Sequence, residues 1–340
     1  EYCVPYFKKT VAIIRKGCYN YVYNNLKRGA AGGVMNIIAD PELEGKSVKE
    51  ILFSILGFSN NAVKALKSDP FGICVDGNRV TVRHIMQAGE VLSLAIGDCE
   101  HRVSENVVAR ALPLSVIYED ENYIVLNKPA GMPTHPSHNH RDDSLANALA
   151  YLYETRQEPF VFRAVNRLDL DTSGIVLFAK SKFSAAKLAR VRLEGGFVKE
   201  YLALLKGELC GDGKVEFPIR RHSESTMLRV TCALSEPGAK SALTSYRALR
   251  ISDGVTLVSA SPITGLTHQL RVHFAAIGHP ILGDGLYGNA DDFARLALHA
   301  YRLSFNDPFD GRHKEFIAEK TLPYIEIFDK YIKNLRKDNS

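Results

Sequence analysis

The chain has 340 residues, of which 46% are hydrophobic and 24% charged. That is enough apolar content for a real core, excludes disorder over the whole length, and suggests two or three domains. A formal charge of +5 is too mild to single out a nucleic-acid partner by itself. Its distribution says more. Residues 1–36 hold six basic side chains (Lys8, Lys9, Arg15, Lys16, Lys27 and Arg28) against Glu1 alone, an excess equal to that of the entire chain. A basic arm is drawn to a phosphate backbone; a solvated leader has the same composition.

Six cysteines (Cys3, Cys18, Cys74, Cys99, Cys210 and Cys232) show no CxxC or other metal-ligand spacing, so a reducing cytosol is the simpler reading. No apolar run approaches the roughly 18 residues that span a bilayer. Position 1 is Glu, and no signal-peptide pattern is present. A cytoplasmic protein with no membrane partner is expected.

In chain order, residues 37–46 carry Asp, Pro and Gly and read as a linker. Ser47 caps a helix, with Glu50 completing a capping box. Val48, Ile51, Leu52 and Ile55 supply its apolar face. Ser59 caps a second helix carrying Ala62, Val63 and Leu66. Ile73 and Val75, the turn pair Asp76-Gly77, then Val80 and Val82 give a hairpin. A last strand alternates from Val91 to Ile96.

Two helices and a small sheet in this order resemble the S4 RNA-binding domain. The resemblance implies phosphate contacts from Lys64 and Lys67 on the second helix and from Arg79 and Arg83 in the hairpin. Solvated surface lysines are the plainer reading of the same pattern.

Residues 98–113 form a polar connector ending at Pro113. Beyond Val116 the chain is strand-rich with helices between, as at Ile124–Leu126, Ile175–Phe178, Leu202–Leu205 and Leu257–Ala260. Without strict βαβ alternation this texture predicts α+β rather than a doubly wound sheet. No GxGxxG or GxxxxGK[ST] is present, so nucleotide-cofactor chemistry has no support. His135, His138 and His140 cluster in one loop but lack zinc-site spacing.

Three segments carry candidate chemistry. Residues 165–174 set Asp169 and Asp171 two residues apart beside Arg167. They read either as a general acid/base pair, as in a glycosidase, or as loop aspartates bonding a turn. Residues 199–204 form a strand bearing Tyr201, a residue type that more often packs a core. In residues 264–273, Thr267 caps a helix with Leu270, Phe274 and Ile277 on one face. Arg271, one turn on, opposes the helix dipole there and calls for a fixed anionic partner.

Together these segments resemble the RluA family of pseudouridine synthases. The pieces NKPAGMPTHP (127–136), NRLDLDTSGIVLFAK (166–180), KEYLALL (199–205), TGLTHQLRVHFAAIGHPILGDGLYG (264–288) and LALHAYRLSF (296–305) occur in the family's order. The resemblance implies isomerisation of uridine to pseudouridine in structured RNA, with ribosomal RNA of the large subunit favoured and transfer RNA the other candidate.

It implies a mixed, largely antiparallel central sheet in a catalytic domain over 114–330. Ahead of it come the linker 98–113, an α+β S4-like domain over 45–97 and a basic extension over 1–40. It makes Asp169 the nucleophile, paired with Arg271 so that the carboxylate stays ionised beneath a flipped base. Tyr201 packs on the uracil and assists a proton transfer. Arg167 fills the gap left by the flipped base, and Asn166, Thr267, His268 and Gln269 complete the RNA-facing set.

No metal or other cofactor is implied, because the reaction has no net redox or hydrolysis. A monomer is expected. Two positions depart from the family pattern: Asn166 replaces a histidine and Leu266 an arginine. A catalytically silent RNA-binding ribosome-assembly factor is the rival reading, and a carbohydrate-active enzyme a distant third.

Overall fold

The computed structural model describes residues 12–16 and 19–24 as backbone, and residues 34–58, 60–95, 107–158, 161–225, 227–288, 293–318, 326 and 328–330. Two sheets organise them. The first has the order β1-β2-β3-β6-β4-β5. Its strands are β1 (Ala12–Lys16), β2 (Tyr19–Asn24), β3 (Val34–Ile38), β4 (Ile73–Val75), β5 (Asn78–Arg79) and β6 (Val91–Ala95).

Helix α1 (Val48–Glu50) starts on the expected capping box between Ser47 and Glu50. It runs into a wider turn over Ile51–Ile55, in which the Leu56 amide reaches the Ile51 carbonyl at 2.8 Å. Helix α2 spans Asn60–Ser68; the expected cap Ser59 lies outside the described residues. Val48, Ile51, Leu52, Val63 and Leu66 bury their apolar faces against Met35, Ile37, Leu92 and Leu94.

Two expectations change here. The stretch expected to be a linker opens inside β3, which pairs with β6 from Val34 to Ile38, and Ile37, Ala39 and Leu43 are buried. Apolar residues in that stretch outweigh its Asp, Pro and Gly, because β6 offers them an edge. The hairpin turn is as expected, with Asp76 and Gly77 both at positive φ (48° and 80°). Its second strand, however, ends at Arg79, so Val80 and Val82 pack beside the module's core outside the strand.

The larger sheet has the order β11-β14-β15-β10-β16-β9-β8-β7, with β17 also pairing with β16. Its strands are β7 (Ser115–Glu119), β8 (Tyr123–Lys128), β9 (Ser173–Ala179), β10 (Val198–Lys206), β11 (Asp212–Val215), β14 (Thr244–Ser252), β15 (Val255–Pro262), β16 (Leu298–Asn306) and β17 (His313–Ile317). A separate ribbon joins β12 (Ile219–Arg221) to β13 (Arg229–Thr231). Helices α3 (Leu145–Thr155), α4 (Lys182–Leu193) and α5 (Gln269–Ala276) complete the described elements used below. Every pairing is antiparallel except β16 with β9, so the sheet is mixed and the fold is α+β, as the strand-rich texture predicts.

Gly174 is what lets that parallel pair form. Its φ is +114°, and a Cβ there would stand 2.2 Å from the Ala300 carbonyl oxygen, a clash only glycine avoids. The small module packs on this body through Phe58 against Phe183, with ring centroids 5.8 Å apart.

Candidate active site

Asp169 sits on the loop entering β9, and that loop is fixed on both sides of it. Thr134 Oγ1 donates to the Leu168 carbonyl (3.0 Å) and accepts from the Leu168 amide (3.2 Å). The Leu170 carbonyl accepts from the Gly131 amide at 3.0 Å and from Lys128 Nζ at 2.9 Å. Lys128 is fully buried and also donates to the carbonyls of Pro129 and Met132. Burial brings its ammonium down to about 8, against the opposing pull of Asp171 and Asp169. The chain around the carboxylate is thereby held in place by the protein alone.

The Asp169 side chain opens into a cavity of about 540 Å³. Asn166, Arg167, Thr172, Lys199, Tyr201, Leu266, His268 and Arg271 are among its lining residues. Tyr201 comes from the centre of β10, which pairs with β15 and β16. Burial, then the Asp169 charge, push its phenol above the ordinary range, which favours the protonated form. Asp171 is exposed and is not one of the lining residues. The two carboxylates therefore do not share the cavity as an acid/base pair would.

Arg271 is buried and reaches Asp169 with Nη1 at 3.8 Å. Its closer partner is Asp284, to which Nε and Nη2 donate at 2.8 and 2.6 Å. Asp284 is thus the fixed anion that an arginine at this helix start calls for. Burial would raise the Asp284 carboxyl. The Arg271 bonds and charge, with the Leu286 and Tyr287 amides, outweigh that and hold it below the ordinary range. The arrangement aims one guanidinium edge at Asp284 and leaves Nη1 toward Asp169.

Thr267 does not cap α5. The residue before the helix is His268, in the left-handed region at φ 58° and ψ 17°. Thr267 is exposed and is not among the cavity residues. His268 Nε2 lies 3.8 Å from Asp169 Oδ2. Burial lowers its pKa, with Asp169 pulling the other way.

Gln269 is buried and turned inward. It accepts from Thr264 Oγ1 and the Leu266 amide and donates to the Leu243 carbonyl and Thr244 Oγ1. Asn166 also bonds backbone: its amide donates to the Ile175 carbonyl at 3.0 Å and accepts from the Leu177 amide at 2.8 Å. Both residues hold segments that line the cavity. Leu266 lines the cavity and packs beside Ile219, Ala242 and Val272. Arg167 is exposed at the cavity. In the small module Lys64, Lys67, Arg79 and Arg83 are all exposed, and Arg79 Nη2 donates to the Lys67 carbonyl.

Sequence reasoning missed three groups here. Asp284 and Tyr287 sit in a Gly-rich turn whose partners lie on another element. Lys199, two residues before Tyr201, lines the cavity with its ammonium depressed by burial and then by Arg192. Among the described residues no group of three or more His, Cys, Asp or Glu is placed to hold a metal, and no helix is long and apolar enough to cross a membrane.

Comparison with known proteins bears on this geometry. Residues 122–276 match the family model for RNA pseudouridylate synthases. The chain is 34% identical over 265 residues to the uncharacterized RNA pseudouridine synthase YjbO of Bacillus subtilis (strain 168), covering 77% of this chain and 92% of that one. It is 32% identical over 321 residues to ribosomal large subunit pseudouridine synthase D of Vibrio vulnificus (strain CMCP6), covering 89% and 94%. Among solved structures, human RNA pseudouridylate synthase domain containing 1 superposes with a TM-score of 0.52 at 30% identity, covering 62% of this chain and 85% of that one.

The match of sequence and of fold thus lies with enzymes named as RNA pseudouridine synthases. The chain belongs to the RluA family of RNA pseudouridine synthases. It is an isomerase that acts on RNA.

Proposed function

We propose that the substrate is large-subunit ribosomal RNA, and that Asp169 is the nucleophile in converting a flipped uridine to pseudouridine. The single observation carrying this is the placement of the Asp169 carboxylate in the 540 Å³ cavity with Arg271, His268 and Tyr201 around it. The reaction detaches uracil from the ribose, turns it, and rejoins it through carbon. Asp169 supplies the attacking oxygen. Arg271 and His268 stand 3.8 Å from the carboxylate, each with a nitrogen toward it. Tyr201, a protonated phenol beneath the base, stacks on uracil and serves the proton transfer. Arg167 enters the RNA stack in place of the extruded base. The relatives named as ribosomal large subunit enzymes favour ribosomal over transfer RNA.

The small α+β module, expected over 45–97 but with β3 (Val34–Ile38) built into its sheet, acts as an S4-like RNA anchor, and the protein works as a monomer in the cytoplasm. Replacing Lys64, Lys67, Arg79 and Arg83 together with alanine is expected to weaken RNA binding and flatten its salt dependence. Each phosphate that is no longer neutralised lowers the log–log slope by about 0.9 on duplex and about 0.7 on single strands. Filter binding across a salt series reads the slope, and an unchanged slope would make these four side chains bystanders.

The test of the reaction itself needs only the purified protein. It is expected to form pseudouridine in transcribed ribosomal RNA with chelator present and no nucleotide added. Mass-spectrometric mapping in cells lacking the protein then names the uridine. Activity abolished by chelator and restored only by metal would overturn the nucleophile assignment, and sites missing from transfer RNA alone would overturn the substrate.

A further inference from the structure

We infer that Tyr287 is a positioning residue that fixes the tautomer of His268, so that its Nε2–H faces the Asp169 carboxylate. The inference rests on the reading of Asp169 as nucleophile.

The first observation is backbone strain. His268 is one of four described non-glycine residues at positive φ, a strained conformation that survives only when the surroundings impose it. Here it ends a loop and starts α5, and it places the imidazole in the cavity wall. A right-handed residue at this point would begin the helix one residue earlier and carry the ring elsewhere.

The second observation is a directed chain of hydrogen bonds. The Arg229 amide, on β13, donates to Tyr287 Oη at 2.9 Å. Tyr287 Oη lies 2.8 Å from His268 Nδ1. Burial raises the Tyr287 phenol above its ordinary pKa, so its proton is retained. Among the described residues Nδ1 is the only acceptor paired with that hydroxyl. With the Arg229 amide on one lone pair, Tyr287 Oη is placed to donate to Nδ1, an arrangement in which a neutral imidazole carries its proton on Nε2. Nε2 is the nitrogen 3.8 Å from Asp169 Oδ2.

The charges facing the ring agree with a neutral form. Burial lowers the His268 pKa, Asp169 and Asp284 raise it, and Arg271 and Arg229 lower it, with a net depression. The opposite tautomer would turn an Nε2 lone pair on the carboxylate and repel it.

Tyr287 also meets the arginine. The Arg271 guanidinium carbon lies 5.1 Å from its ring centroid. One phenol ring thus packs beside the arginine near Asp169 while its hydroxyl orients the histidine near Asp169. Tyr287→Phe separates the two, because it keeps the ring and removes only the oxygen.

The test uses full-length protein labelled with ¹⁵N-histidine. Long-range ¹H–¹⁵N spectra distinguish the two tautomers, and the cross-peaks that vanish in His268→Gln assign this residue among the eleven histidines. Wild type is expected to show protonated Nε2 and bare Nδ1. Tyr287→Phe is expected to show a mixture, with a single-turnover rate at saturating RNA about tenfold lower and RNA affinity unchanged. An Nδ1–H tautomer in wild type overturns the inference, and so does Tyr287→Phe with wild-type tautomer and rate. If Tyr287→Phe does not fold, the wild-type spectrum still decides. The tautomer is read without turnover, so its outcome is separable from that of Asp169→Asn, which tests the nucleophile.

Discussion

Asp169→Asn is expected to abolish pseudouridine formation while the protein folds and binds RNA as before. Asparagine keeps the shape and can fill the same space in the cavity. It lacks the anionic oxygen proposed to attack, so the single-turnover rate should fall on the order of 10⁴-fold or more, as when other covalent nucleophiles are removed. RNA affinity should hold or tighten slightly, since the change takes a negative charge away from a polyanion. The loop should survive, because its anchors are Thr134, Lys128 and Gly131 rather than the carboxylate. Asp171→Asn is the control: that side chain is exposed and outside the cavity lining, and its rate should change little. Quenched single-turnover assays with filter binding read both quantities. Equal losses in the two variants would restore a paired-carboxylate mechanism.

Asp284→Asn is expected to cost the most stability. Asp284 is 2% exposed and holds Arg271, itself 5% exposed, through two charge-assisted bonds. Neutralising one member of such a pair strands the other in the interior, which costs about 3–5 kcal/mol. Activity should fall too, because the guanidinium is no longer held with Nη1 toward Asp169.

The pH dependence has a definite sign. Asp284 has a depressed pKa in the folded protein. Its contribution is therefore fully present above the unfolded carboxyl value of about 3.9, and is lost as pH falls through the lower folded value. The gap in Tm between wild type and Asp284→Asn should be widest near neutrality and shrink below about pH 4. A gap constant down to about pH 2, beneath the usual carboxylate range, would show that shape rather than charge is what Asp284 contributes.

The parts of the molecule readable in advance share one property: their cause lies within a few residues. Ser47 and Glu50 form their capping box because both partners are local. Asp76-Gly77 makes its turn because positive φ is easy for that pair. The alternation of β6 is visible because Leu92 and Leu94 face one core. The pieces flanking Asp169, Tyr201 and Arg271 are likewise contiguous in sequence.

What stayed hidden depends on distant partners. The strand character of Ile37 and Ile38 needs β6, more than fifty residues on. Arg271 signals an anion through its position on the helix, but nothing local marks Asp284 as that anion. Gln269 and Asn166 look like polar residues available to RNA until their amides are found bonded to backbone. The left-handed turn at His268 is masked by Thr267, a better cap by residue type, since histidine tolerates that conformation but only occasionally adopts it.

The order of strands in the large sheet has a consequence for when the enzyme becomes active. Asp169 precedes β9 and Tyr201 lies on β10, and these two strands do not touch. Between them lies β16, which comes from residues 298–306 and pairs with both. The two halves of the active site are therefore joined by a strand synthesised about a hundred residues after either. Such long-range closure is slow compared with local hairpins, and until it occurs β9 and β10 each present an unpaired edge. A ribosome still making this protein has produced every residue proposed for the chemistry before the centre of the sheet can close. On the proposed site, catalytic competence is expected late and all at once, when β16 slots in, after the residues proposed to bind RNA and to modify it have been made.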